Sequence, residues 1–228
     1  MKQVSFNNIS LRQLRSFVDI NPELDESKFA DWLEGPCELS QEDRQFIQKL
    51  IAMHKPYLRM YGEEELKMKF LAPILNRVNF RVAGFQDWYE RPLKAEVAGV
   101  ELAGKTDFMV ARGIHEPDEA VFFIQEFKPT EMRGSPEIQL VAELLVAIQS
   151  QETTSLRGAY IHGQLWYFVV LERLPNHRYL YYVSDAFDSL QAAGLERIYC
   201  ALLAVKAMLG RFNPTPDKRC LRKDSRTS

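Results

Sequence analysis

Cysteine is scarce in this chain. The three residues, Cys37, Cys200 and Cys220, lie far apart, are odd in number and form no C-x-x-C pair. That pattern speaks against a zinc knuckle and against a disulfide framework, and it suits a reducing cytoplasm. Cys200, inside an apolar helical run, reads as ordinary core. Long apolar runs are missing too. The run Leu165–Leu171 is strand length, well short of the ~18 uncharged residues of a membrane span. The opening MKQVSFNNIS lacks the apolar stretch of a secretory leader. The expectation is a cytoplasmic protein with no membrane partner. No nucleotide-binding glycine signature is expected. His54, His115, His162 and His177 are scattered without metal-ligand spacing and read as loop or surface residues.

A basic surplus is also absent. The net charge is -2 and the pI about 6.1, which weighs against a protein that tracks phosphates along its whole surface. The charge is uneven, however. The stretch from Pro22 to Glu65 is rich in Asp and Glu, whereas the tail from Lys218 to Arg226 is basic and reads as solvated disorder before it reads as a phosphate contact.

What is present is enough apolar material for a core. The chain has 228 residues, 46% of them hydrophobic, and a chain of that length buries a core without covalent staples. The first forty residues look helical, with Ser10 capping a stripe through Leu11, Leu14 and Val18 and a short helix over Lys28–Leu33. Gly35-Pro36 breaks that run, and Ser40 opens another helix with Asp43 three residues on. Glu63–Val78 forms a long amphipathic helix with a kink expected at Pro73. After Gly84 the period changes to two. Asp87–Val97 and Val100–Ala111 read as strands joined at Ala98-Gly99. A strand over Val121–Lys128, a helix over Glu137–Gln149, three strands and a final helix from about Asp188 to Leu209 complete the order. The fold class is mixed α/β, a central mixed sheet flanked by helices. The expected organisation is a helical N-terminal extension (1–56), a core (57–212) and the basic tail (213–228).

Three charges stand out against this apolar background. In Val121–Lys128, both faces are largely apolar, which marks a central strand; Glu126 and Lys128 end one of its rows. Asp107 shares a face with Met109 and Ala111 on the preceding strand, while Phe108 and Val110 face the other way. Charges rarely sit in such rows unless paired or bound to metal. Two carboxylates on neighbouring strands make a hard-oxygen site suited to Mg²⁺ or Mn²⁺. Lys128 lies on the same side of the pleat as Glu126, placed to orient a water whose pKa the metal lowers. The aromatics Trp88, Tyr89, Trp166, Tyr167, Tyr181 and Tyr182 read as core and cross-strand packing before base stacking.

Thr106-Asp107 followed by Glu126-Phe127-Lys128 resembles the signature of the restriction-endonuclease-like, or PD-(D/E)XK, nuclease superfamily, and most closely a bacterial family within it that carries an EFKP motif. The resemblance spans about Glu63 to Gly210. Thr106 stands where the signature has proline. The resemblance implies a restriction-endonuclease-like core and Mg²⁺- or Mn²⁺-dependent phosphodiester hydrolysis. It implies a nucleic-acid partner, DNA first, and a homodimer of the kind that cuts both strands. It also implies metal ligation by Asp107, Glu126 and an acid from the preceding helix. Glu63, in phase with Leu66, Phe70 and Ile74, is the first choice, because its spacing to Pro73 resembles the E…PLL helix of related domains. Glu64 is the alternate, and Glu65, in line with Lys69, points to solvent. Gln139 is implied as a residue reaching the site from the crossover helix, the alternative being a surface hydrogen-bonded pair with Glu143. The segment Gly163–Glu172 (GQLWYFVVLE) resembles a strand of restriction-type relatives and concerns the fold alone. Beside the nuclease stands a second expectation, a non-catalytic nucleic-acid- or protein-binding module that keeps the fold.

Overall fold

The structure, a computed structural model, describes residues 2–118, 120–125 and 135–211. Its centre is the hairpin of β3 (Phe85–Val97) and β4 (Val100–Arg112). Ala98 and Gly99 both take positive φ, 50° and 79°, the left-handed pair that a two-residue hairpin turn requires to match the strands' twist. β5 (Ala120–Gln125) adds antiparallel to β4. A parallel strand beside β5 needs a crossover. The helix α6 (Pro136–Gln149) supplies it, and β6 (Ser155–His162) follows. β7 (Leu165–Leu174) and β8 (Arg178–Val183) continue antiparallel, the short β9 (Phe187–Asp188) pairs with the start of β7, and α7 (Ala192–Arg211) closes the described chain.

The N-terminal forty residues differ from expectation. Besides the short helices α1 (Leu11–Arg15) and α2 (Ala30–Leu33), they form two strands. β1 (Lys2–Ser5) lies parallel to β4, and β2 (Asp19–Glu23) parallel to β8. Ser10 caps α1 with a full capping box through Gln13, yet the helix stops at Arg15. Pro22 excludes a longer helix, and the edge of β8 offers a hydrogen-bond ladder in which Ile20 becomes fully buried. α3 (Gln41–His54) follows its Ser40 cap as read from the sequence. The Glu63–Val78 helix appears as α4 (Glu63–Leu66), a π turn over Lys67–Leu71 and α5 (Ala72–Val78).

Among the described residues the result is a nine-stranded mixed sheet ordered β1-β4-β5-β6-β7-β8-β2, with β3 on β4 and β9 on β7. One face packs on α6 through Met109, Ala111, Val169 and Tyr181; the other packs on the remaining long helices through Phe108, Val110, Phe122 and Trp166. The alternation along β4 is therefore the one its sequence announces. Trp32 pins the N-terminal helices to the core. It is 2% exposed, sits edge-on to Phe168, and donates its indole N–H to the Ala201 carbonyl at 3.0 Å.

Two cysteine readings are corrected. Cys37 and Cys200 are joined in a disulfide across a sequence separation of 163, so Cys200 is no plain core residue. Sequence spacing carries no sign of a pair that only the docking of the α2–α3 connection on α7 brings together. No helix among the described residues is long and apolar enough to cross a membrane.

Gly99–Thr106 (GVELAGKT) fits the string G-x-x-x-x-G-K-[S/T], which the expectation of no nucleotide signature overlooks. A phosphate loop needs that string between a strand and a helix. Here Val100–Thr106 lies inside β4 and is paired with β3, so its amides are not arranged as a phosphate cradle.

Candidate active site

β4 pairs along its whole length with β3, so its other edge must serve both β1 and β5. β1 takes Val100–Ala103 and β5 takes Phe108–Ala111. Among the described residues the β1 ladder ends at Ala103 and the β5 ladder begins at Phe108. β1 runs parallel to β4 and β5 antiparallel. Between these two ladders the side-chain amide of Asn7 reaches β4, donating to the Lys105 carbonyl and accepting from its N–H, each at 3.4 Å. Gly104 allows that approach: a Cβ there would fall 2.3 Å from Asn7 Oδ1 and against the Phe6 ring.

Asp107 immediately precedes the residues of β4 that pair with β5. Opposite it on β3, between the pairs Tyr89↔Phe108 and Arg91↔Thr106, lies Glu90, in the left-handed region at φ 54°. A non-glycine residue held there inside a strand stores on the order of 1–3 kcal/mol of strain, and such strain concentrates at functional sites. The twist brings the Glu90 carboxylate to the side from which α4 arrives.

The helix reaches the site because of Pro73. Proline has no N–H to return to the Lys69 carbonyl and crowds it. The chain responds by widening one turn: the Ala72 N–H bonds Lys67 O, five residues back. The kink expected at Pro73 is thus realised as a π turn just before it, a feature frequent at functional sites. Lys67 opens that turn. Its ammonium lies 3.1 Å from Glu63 Oε1, 3.2 Å from Asp107 Oδ1 and 3.4 Å from Glu90 Oε1. Lys105 also binds Glu90. The Lys105 contact above all, then the charge of Lys67, holds the Glu90 carboxyl below its ordinary range against the opposing effect of burial.

The predicted residues therefore divide. Asp107 and Glu63 share one ammonium. Glu64 lines a cavity of about 260 Å³ with Lys67, Tyr89, Glu90 and Asp107. Glu65 turns away to Lys69 at 2.6 Å, half exposed, as its helical phase indicates. Gln139 is half-buried in the first turn of α6. Glu143, four residues on, is fully buried and so is not part of an exposed helix surface. Glu126 and Lys128 lie outside the described residues, as does the basic tail 213–228.

Lys67, Glu90 and Lys105 were not anticipated. Lys67 was legible, since it lies four residues after Glu63 on the same helix face; Glu90 depends on a backbone conformation that no spacing reveals. Tyr89 follows the cross-strand reading of the aromatics, opposite Phe108. It is 43% exposed beside Asp107, edge-on to Phe108, and burial with the nearby Asp87 charge pushes its hydroxyl up to about 12. It stays a neutral donor at ordinary pH. His54 also departs from expectation: it is 7% exposed, with Nδ1 2.9 Å from the Tyr61 hydroxyl.

Among the described residues no three His, Cys, Asp or Glu side chains already sit at metal-holding distance. The donor set nonetheless suits a hard cation. Oxygens that converge on one ammonium at 3.1–3.4 Å need only about 1 Å of inward movement each to meet the short bonds of Mg²⁺ once that ammonium moves aside. The chain matches no protein-family model and no curated protein.

Proposed function

We propose that this protein hydrolyses phosphodiester bonds in nucleic acid, DNA first, with Mg²⁺ or Mn²⁺ held by Asp107, Glu126 and Glu63 on a restriction-endonuclease-like core. The observation that carries the reading is the convergence of Glu63 and Asp107 on the Lys67 ammonium where the edge of β4 changes partners. The order of helix, antiparallel β3-β4-β5, crossover α6 and parallel β6 supports it, because that order resembles the superfamily core. The bound metal would supply Lewis acidity and a lowered water pKa. Asp107 and Glu63 would hold and orient it, Lys128 would direct the attacking water, and Gln139 would approach from α6. A homodimer acting on both strands belongs to the same proposal. So does a cytoplasmic setting, where Cys37 and Cys200 would be kept as thiols and oxidising conditions would close the bridge.

One observation favours the alternative, a module that keeps the fold without the chemistry: Lys67 already compensates the acids, so the cluster is also a sufficient structural ion-pair network. Calorimetric titration of Mg²⁺ and Mn²⁺ into wild type and Asp107→Ala, with and without a short DNA duplex, separates the two. The nuclease reading expects metal binding in wild type that Asp107→Ala abolishes, together with duplex cleavage lost in Asp107→Ala and Lys128→Ala. Absence of metal binding even with DNA present sinks it in favour of the module.

A further inference from the structure

We propose that Lys67 is a built-in counter-cation that competes with the divalent metal for Glu63 and Asp107, so that metal enters only by displacing an ammonium of the protein itself. The inference rests on the metal-site reading above. The three carboxylates on Lys67 come from separate places: the first turn of α4, the left-handed point of β3 and the middle of β4. Only Glu63 is a helical neighbour. Glu90 and Asp107 are 23 and 40 residues away in sequence, so tertiary folding assembles the cluster. Carboxylates gathered this closely repel unless a cation stands among them.

A lysine suits that task because its charge is compact and its four-carbon stem flexible. Its side chain is 20% exposed. Beside it opens the 260 Å³ cavity, whose apolar wall of Met68, Leu71 and Leu75 can take the methylenes when the ammonium swings out. The acids thus stay assembled without metal, and the metal must overcome one like charge to enter.

The test uses the full chain and three proteins: wild type, Lys67→Met, which keeps the stem without the charge, and Lys67→Arg, which keeps the charge. Mn²⁺ and Mg²⁺ affinities are measured by calorimetry, and thermal unfolding is followed in chelator and in excess Mg²⁺. Lys67→Met is expected to bind divalent metal about tenfold more tightly, the change that removing one adjacent like charge from a partly exposed site implies. Its melting temperature should fall in chelator and recover with Mg²⁺. Lys67→Arg should resemble wild type in both measurements. If wild type binds metal through Asp107 but Lys67→Met binds it no more tightly, the competition is overturned while the metal site stands. If none of the proteins binds metal, both fail. Should Lys67→Met not fold, Lys67→Gln takes its place with the same expected outcomes.

Discussion

His54, the last residue of α3, has Phe70 and Tyr61 against its ring, and burial there lowers its pKa from 6.5, with the Lys69 charge adding to the effect. The folded state thus binds fewer protons than the unfolded one. Stability should be complete above the unfolded value, about 6.5, and decline as pH falls toward the folded value. Melting temperatures between pH 7.5 and 5.5 should show that decline in wild type and a flatter profile in His54→Gln; equal slopes would sink the assignment. Asp43 has the same sign for another reason. The Ser40 hydroxyl first, and the Arg77 guanidinium after it, hold its carboxyl below the usual range. Its contribution is present above the unfolded carboxylate value and lost as pH drops through the folded one. Ser40→Ala removes both this bond and the α3 cap, with an expected loss of about 1 kcal/mol in denaturant unfolding.

At the scale of elements, Pro73 and Gly104 shape the candidate site without touching it. Pro73→Ala restores the missing donor, so the π turn should close to α-helix and rotate Glu63 and Lys67 by about 100° relative to α5. The melting temperature should hold or rise, whereas Asp107-dependent metal binding should weaken; unchanged binding would show that the proline does not set the wide turn. Gly104→Ala should expel the Phe6–Asn7 turn from the β4 edge at a cost of about 1–3 kcal/mol, typical of an overpacked site, measurable by urea unfolding. The hairpin, β5 to β8, α6 and α7 were legible in the sequence, because turn chemistry and apolar period are local. β1 and β2 were not, because their strand character comes from the open edges of β4 and β8.

For the whole molecule, the Cys37–Cys200 bridge is the largest departure from the sequence reading. It closes a loop over most of the chain, and such closures contribute typically 2–4 kcal/mol. Cys37→Ser or a strong reductant should lower the melting temperature by about 2–4 °C per kcal/mol lost, the scaling for a chain of this size. No shift on reduction would show that the bridge does not form in solution.

The sequence by itself determined the alternation that makes β4 two-faced, the caps at Ser10 and Ser40, the Ala98-Gly99 turn, and Asp107 as a charge at the edge of an apolar row. These follow from neighbours within a few residues, where steric and hydrogen-bond rules act directly. Only the tertiary structure decided that Glu63, Glu90 and Asp107 share one ammonium, that β4 changes partners beside Asp107, and that Cys37 meets Cys200. Those arrangements depend on which edges and faces remain to be covered once the sheet has assembled, and that quantity belongs to the folded chain as a whole.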